Sequence, residues 1–216
     1  MIKYKLMNQA MQTHGKMSWR LWERQVATGE GNQLCSGDVL HYYDHPVLAM
    51  LFNPIHARIT NPRMFKCVCW DDVAHDGLKG GCKSMTPVKE LTLPEISTEF
   101  QVEFAIRVAM KVYNEPFQQW AERWISGEDR SRDAAAAAAA YTTAAAYTTA
   151  ATAYTTAATA AAYADAAAYA AARAAARAAY AADAAYAAAR AARAAARAAD
   201  AGDLFNKVLV EMGVPV

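Results

Sequence analysis

The 216-residue chain has little that would carry it out of water or onto a polyanion. No long run of large apolar residues occurs, so no membrane span is expected. Met1 to Ala10 is polar and lacks the apolar core of a secretory signal. The formal net charge is only +1, which gives no strong pull toward nucleic acid or anionic lipid, and neither is expected as a partner. These absences predict a soluble, cytoplasmic protein, whose four cysteines (Cys35, Cys67, Cys69 and Cys82) stay reduced. A further absence is local. Neither glycine nor proline occurs between Gly127 and Gly202.

What fills that gap is alanine. From Asp133 to Asp200 roughly two residues in three are Ala, with Tyr, Thr, Arg and Asp making up the rest. Alanine has the highest helix propensity, so the tract is expected to be helical with little tertiary help. As one helix it would run on the order of 100 Å at ~1.5 Å per residue; an alanine-packed hairpin is the alternative. The tyrosines at 141, 147, 154, 163, 169, 180 and 186 do not form a stripe, and no sustained heptad marks a coiled coil. An eleven-residue threonine ladder, as in helical antifreeze proteins, survives only between Thr148 and Thr159. The arginines at 173, 177, 190, 193 and 197 read as a solvated face, with phosphate contact as the functional alternative. Length, helicity and small side chains remain, which suit a shaft or a close-packing surface for self-association or a protein partner.

Ahead of the tract, strand signals precede helix signals. Lys3–Met7, Ser18–Val26, Val39–Tyr43, Met64–Trp70 and Pro87–Leu93 read as strands, and glycines 77, 80 and 81 as loops around a further short strand. A short helix from Pro46 to Phe52 is expected, capped by Asp44 and stopped at Asn53-Pro54. After Pro94, Ser97 or Thr98 should cap a helix ending near Asn114. Pro116 opens a second helix that Gly127 closes, and Ser131 or Asp133 caps the tract. In the tail, Leu204, Phe205, Val208 and Leu209 share one helical face. The predicted class is α+β, a small antiparallel sheet with packed helices followed by the long alanine-rich helix. The predicted divisions are a globular domain 1–130, the alanine-rich segment 131–201 and an apolar tail 202–216.

Three groups offer chemistry. Cys67 and Cys69, in C-x-C spacing on one strand face, could join Cys35 and Cys82 around zinc, but the spacing departs from C-x-x-C and buried reduced thiols are the plainer reading; no metal or other cofactor is expected. Cys35, His41, Asp44, His45 and His56 contain the parts of a nucleophilic triad, without a signature to say which histidine approaches the thiol. In the segment 76–83, Lys79, Gly80, Gly81 and Lys83 could hold a phosphate-bearing ligand on backbone N–H groups, although the order is not that of a P-loop.

The segments Asp44-His-Pro-Val-Leu-Ala, Phe52-Asn-Pro-Ile-His-Ala57, Gly77-Leu-Lys-Gly-Gly-Cys82 and Trp124-Ile-Ser-Gly-Glu-Asp-Arg130 resemble an uncharacterised bacteriophage and bacterial family. Its members also end in alanine-rich runs. The resemblance implies a phage or prophage setting and brings no catalytic roles with it. Together these readings predict a non-enzymatic accessory protein with a recognition domain on a helical spacer. The alternative is a small enzyme or nucleotide-binding protein acting in phage–host conflict.

Overall fold

The structure is a computed structural model that describes residues 1–13, 16–77, 79–111, 117–138, 190–195 and 204–215, with Ala170 and Ala187 besides. It divides into two compact units, Met1–Ile96 and Ser97–Val216.

The first unit is an antiparallel five-stranded sheet with one helix. Its elements are β1 (Ile2–Met7), β2 (Gln25–Val26), β3 (Leu40–Tyr42), α1 (Pro46–His56), β4 (Arg63–His75) and β5 (Gly80–Leu91). β1 pairs with β4 and β4 with β5; both β2 and β3 lie along the other edge of β5. Tyr4 and Tyr43 then exchange two backbone hydrogen bonds, of 2.9 and 2.8 Å. That bridge ties the free edge of β1 to the end of β3, so β1, β4, β5 and β3 form a ring. Inside it lie Met7, Trp19, Leu40, Tyr42, Phe65, Cys67, Cys69, Cys82 and Met85. Outside it, α1 packs on β1 near the buried pair Leu6 and Met64.

Local chemistry accounts for most of these elements and for the departures from expectation. The Met64–Trp70 strand is present, extended at both ends in β4. The two short strands expected after Gly77 are one strand, β5. Its glycines serve close approach: a Cβ on Gly80 would stand 2.0 Å from Tyr42 Cζ, and one on Gly81 2.5 Å from Val39 Cγ2. Ser18–Val26 forms only β2, because Trp22 turns the chain with φ +65° and breaks the alternation. α1 continues through Pro54 to His56. The amide that proline lacks is offset by Asn53, whose carbonyl receives the N–H groups of Ala57 and Arg58 and whose side chain exchanges two 3.0 Å bonds with Ile59. The N-cap is His45 rather than Asp44: its Nδ1 accepts from the Val47 N–H at 3.2 Å.

The second unit contains α2 (Thr98–Met110), α3 (Phe117–Ser126), short helical segments 132–138 and 190–195, and α4 (Leu204–Glu211). Ser97 caps α2 by accepting from the Phe100 N–H at 3.0 Å, and Ser131 caps 132–138 by accepting from Ala134 at 3.2 Å. Gly127 ends α3 with φ +82°. α2 packs against both α3 and α4, where the rings of Phe104 and Phe205 stack with centroids 5.9 Å apart. Ala135, Ala191, Ala192 and Ala195 are buried, as are Phe205, Val208 and Leu209 of the tail. The expectation of a long alanine-rich helix, with the Tyr-Thr-Thr repeats and Arg173, Arg177 and Arg197, falls on residues outside the described ones, and Asn114 and Pro116 lie outside them as well. Among the described residues, no helix is long and apolar enough to cross a membrane.

Candidate functional site

β3 is short, but it gathers most of the polar chemistry of the first unit. Facing the interior, the buried hydroxyl of Tyr42 donates to Asp72 Oδ1 at 2.6 Å, which joins β3 to β4. Burial, together with that hydrogen bond, drives the Tyr42 pKa far above the ordinary phenol range. The Lys3 ammonium sits 4.6 Å over the same ring and is hydrogen-bonded to Asp44. Asp44 also accepts from His75 Nε2 at 2.7 Å, so one carboxylate holds β1 and β4 together. Partial burial raises the Asp44 pKa, but the bonds from His75 and Lys3 outweigh it and hold the carboxyl at about 2. The same bond raises the pKa of His75. Its Nδ1 accepts the Gly77 N–H at 3.0 Å, so a neutral ring with its proton on Nε2 satisfies both neighbours.

Deeper in the ring, Lys5 is buried with its ammonium 2.5 Å from the His41 carbonyl and 4.9 Å over Trp19. Burial lowers its pKa, and the surrounding thiols of Cys67, Cys82 and Cys69 oppose that. Burial also pushes the Cys67 thiol up to about 12. Cys69 titrates high as well, because it is hydrogen-bonded to Cys82 and buried. Such thiols are poor nucleophiles and poor metal ligands without a proton acceptor.

The triad candidates do not meet one another. Cys35 is exposed, and its sulfur lies 3.0 Å from Lys79 Nζ. His41 approaches Cys35 only through the main chain, its Nε2 accepting the Cys35 N–H at 2.8 Å. Burial and the charges of Lys5 and Lys79 lower the His41 pKa to about 4, so the ring is neutral near pH 7. Asp44 is taken by Lys3 and His75, and His45 caps α1. His56 is hydrogen-bonded to the Tyr43 hydroxyl at 2.8 Å and stacks with Tyr43 and Phe52.

The phosphate-cradle residues are likewise committed. Gly80 and Gly81 are paired on both sides, with β3 and with β4. Lys83 donates to the carbonyls of Glu30, Gly31 and Asp38, drawing the 27–38 loop onto β5. Of the four cysteines, Cys67, Cys69 and Cys82 share the interior while Cys35 stands apart on its loop. Among the described residues no group of three or more His, Cys, Asp or Glu is placed to hold a metal ion.

Lys3, Lys5, Tyr42, Asp72 and His75 were not singled out from the sequence. The readable sign for Lys5 was its place in an alternating strand, on the same face as Met7. The partners of Tyr42 and His75 come from long-range pairing, which no local pattern carries.

The outer face of the sheet has a different character. Val26, Ser84 and Trp70 lie opposite one another across β2, β5 and β4, and Ile2 lies opposite Val68. Ile2, Val26 and Trp70 are exposed, as are Leu21 and Trp22, the last at 73%. The Arg24 guanidinium stacks 4.9 Å over Trp70 and donates to Ser84 Oγ at 2.6 Å. Trp22 is fixed by its N–H to the Pro87 carbonyl at 2.8 Å. In the second unit, an open depression on α3 is lined by Gln119, Glu122, Arg123, Ser126 and Glu128, far in chemistry from the groups above.

Comparison of the chain with protein-family models, with curated proteins and with solved structures gives no match.

Proposed function

We propose that the chain is a non-enzymatic accessory protein, with a recognition surface on its first unit and an alanine-rich helical spacer or assembly arm over residues 131–201. The observation that carries the recognition reading is the outer sheet face. Ile2, Val26 and Trp70 expose apolar side chains on that face, with Arg24 held flat on Trp70, and Leu21 and Trp22 are exposed in the segment leading into β2. Aromatic side chains and arginine in that arrangement are the composition of a protein-binding hot spot. The polar groups at that end of the sheet support the same reading: Asp44 is engaged with His75 and Lys3, and Tyr42 with Asp72. The spacer rests on the alanine content and on the freedom of residues 128–201 from glycine and proline. The phage or prophage setting, and with it the host cytoplasm, rests on the family resemblance.

A second reading, a small enzyme or nucleotide-binding protein in phage–host conflict, draws on the Asp44–His75 carboxylate–imidazole pair, which is half-buried at the end of the sheet. Light scattering combined with small-angle X-ray scattering on the full chain tests the arm. An elongated particle or an oligomer supports it, and a compact monomer overturns it. A panel of nucleotides that gives neither a thermal shift nor turnover removes the second reading.

A further inference from the structure

We propose that Cys35 and Lys79 form an oxidative cross-linking site, in which a hydroperoxide joins the thiol sulfur to the lysine nitrogen. The two atoms are already 3.0 Å apart although the residues are 44 positions apart in the chain. Their exposures are complementary. Cys35 is exposed, so a small peroxide reaches its sulfur, while Lys79 is only 8% exposed and its amine is held against that sulfur. A thiol is a weak hydrogen-bond acceptor, an unusual partner for a buried ammonium. The geometry is also enforced by the backbone. Cys35 sits at φ +65°, a left-handed conformation costly for a residue with a Cβ, and its N–H is anchored to His41 Nε2 at 2.8 Å. Lys79 is fixed in turn by its own N–H, bonded to Asp76 Oδ1 at 2.9 Å. Strain of this kind persists where the surroundings over-determine it, and here they aim one sulfur at one nitrogen.

The chemistry takes two balanced steps. The thiol attacks the O–O bond of the hydroperoxide, giving a sulfenic acid and, from hydrogen peroxide, one water; sulfur loses two electrons and the peroxide gains them. The lysine ammonium gives one proton to solvent, its free amine attacks that sulfur, the S–O bond breaks as an S–N bond forms, and the hydroxyl leaves as water with a second nitrogen proton. The net change is the loss of two hydrogens from the protein. The second step is favoured by proximity alone, since the nitrogen is in place before the sulfenic acid exists. The product ties the 27–38 loop covalently to the start of β5, and a dithiol reductant reverses it. Cys67, Cys69 and Cys82 surround the Lys5 ammonium but are buried with it, out of reach of a peroxide in solution.

The test treats the full chain with hydrogen peroxide and follows intact mass, tryptic peptides and trapping of sulfenic acid by dimedone. The expected product has lost two hydrogens, links the Cys35 peptide to Lys79, blocks tryptic cleavage after Lys79 and returns to the starting mass with dithiothreitol. Lys79→Met should instead accumulate dimedone-reactive Cys35, and Cys35→Ser should show neither product. The proposal is overturned if the wild-type chain gives trapped or over-oxidised Cys35 with Lys79 still cleavable, a disulfide between two chains, or an unmodified Cys35. Each of these outcomes is read on the wild type, so the test decides even if a variant does not fold.

Discussion

Met1–Ile96 sets buried lysines, a tyrosine hydroxyl and thiols among the apolar side chains of its interior, whereas the described residues of Ser97–Val216 bury phenyl, indole and methyl groups. Lys5, Lys79, Ser84 and Thr86 are the buried polar and charged side chains among the described residues, and all four belong to the first unit. A buried polar group is stable only with its partner in place, so the first unit is held by directional pairs that fix register and strand order. The described core of the second unit relies on shape and area, which tolerate change so long as volume is kept. The difference predicts where each half is fragile.

The largest effect expected is in the second unit. Phe104→Ala removes a fully buried ring stacked on Phe205 and should cost about 3–5 kcal/mol by denaturant unfolding, while Phe104→Leu should cost much less. Equal losses from the two substitutions would contradict a unit held by volume. Next comes Gly80→Ala, whose methyl would collide with the Tyr42 ring; about 2–3 kcal/mol is expected. A double-mutant cycle with Tyr42→Ala should show strong coupling, and simple additivity would break the account of β3 pressed on β5.

Asp44→Asn should follow at about 1–2 kcal/mol, since it leaves Lys3 and His75 without their shared carboxylate. Titration by NMR should find the His75 pKa lowered in the same variant; an unchanged value would show that Asp44 does not govern it. The pH dependence then separates the histidines by sign. His41 has a folded pKa near 4 against 6.5, so the unfolded chain binds more protons between those values. Its contribution is full above pH 6.5 and is lost as pH falls toward 4. His75 is shifted upward, so its contribution is full below pH 6.5 and fades as pH rises through its folded value. Asp44 adds a loss only at lower pH, between 3.8 and about 2. His41→Gln should therefore flatten the stability profile between pH 4 and 6.5, and an unaltered slope there would count against the burial of that ring. The smallest effect is Ala191→Gly, at about 1 kcal/mol from helix propensity, measured by thermal unfolding.

Local patterns were legible and long-range ones were not. The Ser97 and Ser131 caps, the Gly127 terminator, the apolar face of α4 and the strand through Cys67 and Cys69 depend on neighbours within a few residues, and each is present. Pro54 inside α1 escaped because its compensation, the Asn53–Ile59 bonds, lies beyond the helix end. Trp22 escaped because apolar alternation says nothing about the sign of φ. At the candidate site, Cys35, His41 and Asp44 were singled out by residue type, yet the partners they found, Lys79, the Cys35 amide and His75, are set by the β3–β5 and β4–β5 registers. The ring of strands itself depends on a single bridge between Tyr4 and Tyr43, which periodicity does not encode.

The Lys83 ammonium, bonded to three carbonyls of the 27–38 loop, bears on the order in which the first unit assembles. Its anchor point is on β5, so the loop has nothing to gather around until β5 has paired with β4. Loop ordering should then fall after the rate-limiting step of folding. Lys83→Met would speed unfolding while leaving the refolding rate nearly unchanged, the signature of contacts made late on the path. A single side chain would thus act as a latch on the native state, setting how long the unit stays closed rather than how fast it forms.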